Sequence, residues 1–274
     1  MRHKIKNIFP PALWKPVSDV RYALGRAAQW PAAAFHPWRR QSIARLAELK
    51  DKYRGERCFI IGNGPSLRQT DVSRLRDEFT FGMNRIYLAF DEWGFSTSFL
   101  VSVNDLVLEQ CVDDFLGLDM PRFFSWRSRK FFPKSEIPNL NSPIFLHTTY
   151  TGPKFARDAR GRLWEGATVT YVCLQLAYHM GFDEAILIGV DHSFTSKGKA
   201  NTTITSEGDD PNHFDPRYFG KGFRWQLPDL DTSEQAYLLA RHAWEADGRR
   251  VVDATIGGKL QIFPKMAYAS LFDD

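Results

Sequence analysis

Two histidines in the C-terminal half are the best candidates for moving a proton. His192 follows the apolar run Ala185-Ile186-Leu187-Ile188-Gly189-Val190-Asp191, and His213 sits in Asn212-His213-Phe214. Imidazole suits a general base because its pKa lies near neutrality. Tyr218, Lys221 and Arg224, in the same irregular stretch as His213, can neutralise a phosphate; as a plain alternative they form a solvated loop face. Asn63, Asn84 and Asn104 each follow a short apolar run, and Asp105 and Asp191 follow two such runs. An amide can donate to and accept from a base, a ribose or a phosphate. A single Asn after a strand is usually a turn former, but three in succession point to a ligand edge. An acid at such a place orients a ribose, holds a metal or caps a turn. His147, His179 and His242 fall in strand or helix patterns and His3 and His36 in the leader, so none enters the candidate site. There is no Ser-His-Asp or Cys-His signature. Asp105, Asp191 and His192 would be the oxygen-rich set for Mg²⁺, with no diagnostic spacing, so no metal site is assigned.

The turn Gly62-Asn63-Gly64-Pro65-Ser66 follows Cys58-Phe59-Ile60-Ile61 directly. Two glycines let the backbone approach a ligand, Pro65 is pre-set for a first helical turn, and Ser66 can cap it. A helix N-terminus in that position attracts a phosphate. The turn lacks the Gly-Lys-Ser/Thr of a Walker loop and the third glycine of a dinucleotide fingerprint.

Elements that must hold these residues can be read from the pattern. Short apolar runs at 58–61, 79–83, 97–103, 123–126, 144–147, 185–190 and 250–254 read as strands buried on both faces. Helical patterns lie at 41–53, 106–116, 170–180 (Thr168 or Thr170 capping) and 233–246 (Thr232 or Ser233 capping). The alternation predicts an α/β fold: a single Rossmann-like domain over 41–274 with a mostly parallel sheet, helices on both faces, and a lid-like insertion at 193–231. Residues 1–40 form a basic, aromatic arm in which 17–30 suits a short amphipathic helix. Residues 1–50 carry ten Lys/Arg against two Asp/Glu, a local +8, so the remaining chain carries 4 − 8 = −4. A mildly acidic body argues against nucleic acid as a partner. The basic arm allows peripheral contact with an anionic membrane surface. Cys58, Cys111 and Cys173 sit in apolar settings without CxxC, as buried thiols do in a reducing compartment such as the cytoplasm.

Gly62-Asn63-Gly64-Pro65-Ser66-Leu67, Asp71-Val72-Ser73-Arg74-Leu75 and Met83-Asn84-Arg85-Ile86-Tyr87, with the unit from Thr170 to Gly189-Val190-Asp191, resemble the bacterial sialyltransferases that use CMP-sialic acid. The same core occurs in the archaeal 6-hydroxymethylpterin diphosphokinase-like family and in motility-associated flagellin glycosylation factors. The resemblance covers roughly 55–255. It implies a cytidine nucleotide over Gly62–Ser66, contacts from Asn63, Asn84 and Asn104, Thr168 near the donor, and metal-independent transfer. Three positions depart from the sialyltransferase pattern. Ser193 stands where a tyrosine follows the Asp, Gly166 where an arginine precedes the helix, and no histidine occurs near Pro228-Asp229.

Together these readings lead to the expectation of a glycosyltransferase without a cofactor. It would use a nucleotide-sugar donor and a glycan or lipid-linked acceptor in surface glycan or glycoprotein assembly. His213 or His192 would be the base, and homo-oligomers are compatible with this. The rivals are an Mg²⁺-dependent pyrophosphokinase moving diphosphate from ATP to a pterin-like alcohol, and a non-catalytic nucleotide-binding scaffold.

Overall fold

The computed structural model describes residues 20, 24–25, 27–133, 142–150 and 152–273. Eight strands form one sheet in the order β10-β7-β1-β2-β3-β4-β5-β6. They are β1 (Arg57–Ile61), β2 (Phe79–Met83), β3 (Phe99–Ser102), β4 (Arg122–Ser125), β5 (Ile144–Thr149), β6 (Arg162–Trp164), β7 (Glu184–Ile188) and β10 (Arg250–Asp253). Every neighbouring pair in that sheet is parallel. The chain builds outward from β1 to β6, then returns to β1's other side with β7. The switch point therefore lies between β1 and β7, where α/β sheets open a crevice at the strands' carboxyl ends.

Alternate residues of β1 explain the two layers. Cys58 and Ile60 enter one core and Phe59 and Ile61 the other, all fully buried. The first core is closed by three helices: α1 (Pro37–Leu49), α5 (Val169–Met180) and α6 (Leu230–Ala246). The second is closed by short elements: 3-10 turns at Pro65–Gln69 and Val72–Leu75, α2 (Phe90–Trp93), α3 (Asp105–Gln110) and α4 (Val112–Leu116). The segment after β7 also packs there through Phe214, Tyr218, Phe219 and Trp225. It contains an antiparallel hairpin, β8 (Thr203–Thr205) with β9 (Arg224–Gln226).

Several boundaries differ from the sequence reading. α1 starts four residues earlier than 41, because Pro37 takes its first turn and His36 Nδ1 accepts from the Trp38 N–H at 3.3 Å. The helix expected at 106–116 breaks at Cys111 into α3 and α4. Asp229, not Thr232 or Ser233, caps α6 by accepting from the Thr232 N–H at 3.2 Å. β6 and the β8–β9 hairpin are too short to show a period. The predicted arm helix at 17–30 falls partly outside the described residues; 27–35 is helical.

Candidate active site

The glycine turn after β1 is a joint between two strands. The Gly62 N–H donates to Ile188 O at 2.7 Å and the Gly64 N–H to Gly189 O at 2.8 Å. A Cβ on Gly62 would lie 2.2 Å from Gly189 O, so only glycine lets these backbones meet. The Gly189 φ of +64° turns β7's end toward it. A Cβ on Gly64 would strike the Asp191 carboxylate at 1.8 Å. That carboxylate accepts from the Ser66 N–H at 3.1 Å and the Ser66 hydroxyl at 2.6 Å. The anion seat expected for a phosphate at Gly62–Ser66 is thus filled by the chain's own Asp191. The expected Ser66 cap is corrected as well: Gly64 occupies the cap position without a side-chain bond, ahead of a five-residue 3-10 helix. Pro65 and Ser66 line neither of the two cavities described below.

The three asparagines do converge, because β1, β2 and β3 are neighbours. All three line a cavity of about 220 Å3 at the switch point, with Gly62, Gly64, Asp191, His192 and His213. Asn63 Nδ2 donates to Met83 O at 3.2 Å, and its buried Oδ1 has no partner among the described residues. Asn84 has a φ of +47°, and its Oδ1 accepts from the Ser102 hydroxyl at 2.8 Å. Asn104 caps α3 through a 2.9 Å bond from the Leu106 N–H. Two further non-glycine residues with positive φ, Ala167 (+61°) and His192 (+53°), line the same cavity. Strained backbone gathered around one cavity is a mark of sites whose geometry is held by their surroundings.

His213 is the most strongly oriented group in this cavity. Its Nδ1 lies 2.6 Å from Asp210 Oδ2. Asp210 is 7% exposed, and its carboxylate also accepts from the Asn212 N–H at 2.8 Å and the Phe219 N–H at 3.1 Å. A carboxylate so held keeps the proton on Nδ1, which leaves the Nε2 lone pair for a ligand. The imidazole stacks on Tyr218 at 4.0 Å with 13° between planes, and the Phe219 edge closes its side at 4.9 Å. Tyr218 is 1% exposed; burial pushes its phenol up while a hydrogen bond with Asn84 pulls it back. It packs flat against His213 and lines the same cavity. His192 also lines the cavity, but its Nε2 is taken by Glu234 Oε1 at 2.9 Å.

A second, larger cavity of about 830 Å3 adjoins the first. Both share Asn104, Gln226, Pro228, Asp229 and the start of α5 at Ala167–Val169. Thr168 is α5's cap residue, yet its side chain makes no capping bond; its hydroxyl lies 3.3 Å from the Tyr237 hydroxyl. The expected cap by Thr168 or Thr170 is therefore not made. The first N–H groups of a 12-residue helix border both cavities.

One ionic network lines the larger cavity. Arg127 Nε donates to both Asp105 oxygens at 3.1 Å, and its Nη atoms meet Glu165, with Nη2 to Oε2 at 3.0 Å. Ser128 also donates to Asp105. Burial alone would lower the guanidinium pKa, but Glu165 and Asp105 carry it above its ordinary value. Asp105 is thus committed to Arg127 as well as bordering the cavity. Tyr150 and Asn201 reach Asp229 Oδ2 at 3.5 and 3.0 Å across the same cavity. Lys221 and Arg224 line neither cavity: Lys221 is exposed, and Arg224 pairs with Glu109 at 2.9 Å.

Sequence reasoning missed Asp210, Arg127, Glu165 and Asp229. The Asp210-Pro211-Asn212-His213 spacing was a local signal for the first. In sequence, Arg127 opens the basic run Arg127-Ser128-Arg129-Lys130, which reads as a solvated loop or, less often, a phosphate contact.

The family model described as 6-hydroxymethylpterin diphosphokinase MptE-like matches residues 39–197, from α1 past the end of β7. No curated relative matches the sequence. Among solved structures, a MAf glycosyltransferase from Magnetospirillum magneticum AMB-1 is similar at 15% identity and a TM-score of 0.45. That match covers 84% of this chain and 38% of the other, so this chain spans well under half of its length. The sialyltransferase CstII from Campylobacter jejuni, in complex with the substrate analogue CMP-3FNeuAc, is similar at 12% identity and a TM-score of 0.45. There the match covers 77% of this chain and 86% of the other. With more than half of its residues matched by one family model, the chain belongs to the MptE-like family.

Proposed function

We propose that this protein is a glycosyltransferase that moves an acidic sugar from a CMP-linked donor to a hydroxyl acceptor. The observation that carries this reading is the Asp210–His213 pair, set in the cavity at the β1/β7 switch point with Nε2 unengaged by the described residues. The donor nucleoside lies against the strand-end amides, where the unpaired Asn63 Oδ1 is an acceptor for an exocyclic amine. Its phosphate faces the Val169 and Thr170 N–H groups at the start of α5, the Thr168 N–H being held by Glu165 O at 3.0 Å. The acceptor approaches from the larger cavity and meets the donor at the shared wall. Its hydroxyl oxygen attacks the anomeric carbon, the bond from that carbon to the phosphate oxygen breaks, and CMP departs with the electron pair. The hydroxyl proton passes to His213 Nε2.

Charge favours a donor whose phosphate is singly charged. The small cavity is lined by no Lys or Arg among the described residues, and the large one by Arg127 alone, already paired with two carboxylates. One helix N-terminus, worth about half a positive charge, suits a phosphodiester better than a triphosphate.

The family name supports a second reading, diphosphate transfer from ATP with Mg²⁺. Asp105 and Glu165 are the carboxylates nearest to such a role, and Arg127 occupies both. No three His, Cys, Asp or Glu side chains are gathered for an ion among the described residues.

Calorimetry with CMP, CDP, UDP, GDP, ADP and ATP, each with Mg²⁺ or EDTA, tests the choice. CMP binding that ignores EDTA is expected. His213→Gln should keep that binding and lower transfer by about 10²–10⁴-fold, the range for losing a general base. ATP binding only with Mg²⁺ would overturn the glycosyl reading in favour of the diphosphokinase. Unchanged turnover in His213→Gln would remove His213 from the chemistry.

A further inference from the structure

The helical arm has two faces with different tasks. Gly25 and Gln29 line the large cavity, and Ala33, 4% exposed, enters the core beneath the arm. Val20, Leu24, Trp30 and Phe35 are instead 54–67% exposed, the four most exposed of the large apolar side chains described. Trp30 and Phe35 meet edge to face at 5.6 Å, so the patch is continuous there. Residues 1–36 carry six Lys/Arg (Arg2, Lys4, Lys6, Lys15, Arg21, Arg26) against one acid, Asp19. An exposed apolar stripe in a basic segment fits an anionic surface, whereas a second copy would set like charge against like. No helix among the described residues is long and apolar enough to cross a membrane, so the fit is to the interface.

We propose that the arm helix docks the protein on an anionic lipid bilayer with the mouth of the large cavity at the bilayer surface, so that the acceptor is an amphiphile held in the membrane. This rests on the large cavity being the acceptor side of the proposed transferase. The link is physical: the same helix walls the cavity with one face and presents its apolar stripe with another. An acceptor whose apolar end stays in the bilayer could raise its hydroxyl past Gln29 to the wall shared with the donor cavity.

The test uses the full chain with vesicles of phosphatidylglycerol and phosphatidylcholine, or phosphatidylcholine alone. Flotation with the anionic vesicles is expected, weakened by more than about tenfold in Trp30→Ser/Phe35→Ser, with CMP affinity unchanged. Orientation is read with an environment-sensitive fluorophore on an introduced cysteine; the three native cysteines are buried. A label at Thr203→Cys, on the cavity lining, should brighten with anionic vesicles, and one at Glu56→Cys, at the amino end of β1, should not. Equal brightening at both positions would overturn the cavity-down orientation. No flotation, or flotation indifferent to the double substitution, would overturn the docking. A dimer in light scattering that the double substitution dissociates, without vesicle binding, would assign the stripe to a second copy instead. None of these readouts needs catalysis. A protein that floats correctly but ignores CMP would therefore sink the transferase reading and leave the docking standing.

Discussion

Two strand-to-helix turns in this protein start from similar chemistry and end differently. After β1, Gly62–Ser66 leads into a short 3-10 helix, and the Asp191 carboxylate fills its N-terminal seat. Before α5, Gly166-Ala167-Thr168 leads into a 12-residue helix whose cap side chain looks away and whose first turn borders two cavities. The glycine-rich sequence that advertises an anion site is sealed from within, and the plainer one is open. Local geometry makes a seat for negative charge, and the tertiary neighbour decides whether that seat is structural or free.

The contrast can be broken most forcefully at Asp191. Asp191→Ala would leave the Ser66 N–H and hydroxyl without partners on a residue 4% exposed. Losing charge-assisted bonds from buried donors should cost about 3 kcal/mol in urea unfolding. Sulfate should restore part of that stability in the variant and add little to the parent. No loss would mean that Asp191 is held for a ligand.

Filling the open seat should sharpen the contrast. Thr168→Asp supplies at α5 what Asp191 supplies at Ser66. Stability should rise by about 0.5–1 kcal/mol through the cap and the helix dipole. CMP affinity should fall more than about tenfold as the carboxylate opposes the phosphate. Undiminished CMP affinity would move the phosphate elsewhere.

A pH-dependent effect concerns His147 on the wall of the larger cavity. Burial, then Arg162 and Arg39, lowers its pKa to about 4. The unfolded state therefore binds the proton more readily between that value and about 6.5. Stability is greatest above pH 6.5 and falls as the pH drops toward 4. His147→Gln should flatten that slope in unfolding midpoints measured across pH 4–7, and an unchanged slope would assign it to other groups.

Much of the frame was legible in residues alone. Short runs such as Phe79–Met83 are apolar on both faces because helices and turns cover both sides of the sheet, and that pattern survives in one dimension. The convergence of Asn63, Asn84 and Asn104 followed from strands adjacent in sequence being adjacent in space. Partnerships across long separations were not legible. Arg127 and Glu165 lie 38 residues apart, and Ser66 and Asp191 lie 125 apart. The 193–231 segment has too little period to place Tyr218 under His213 or to carry Lys221 away from the cavity. Arg127 looked solvated because its two carboxylate partners arrive from other elements.

The return of the chain from β6 to β7 also orders events during synthesis. β1 to β5 emerge next to their eventual neighbours and can pair as they are made. β1's second edge waits for Glu184–Ile188, the partner of Arg57–Ile61. Closing that long loop is the slow, entropically costly step of a parallel sheet. Until it closes, Phe59 and Ile61 lack one flank and Ser66 lacks Asp191. The nascent chain thus carries an unpaired central strand edge while residues 62–183 are made, which is the state a chaperone would have to shield.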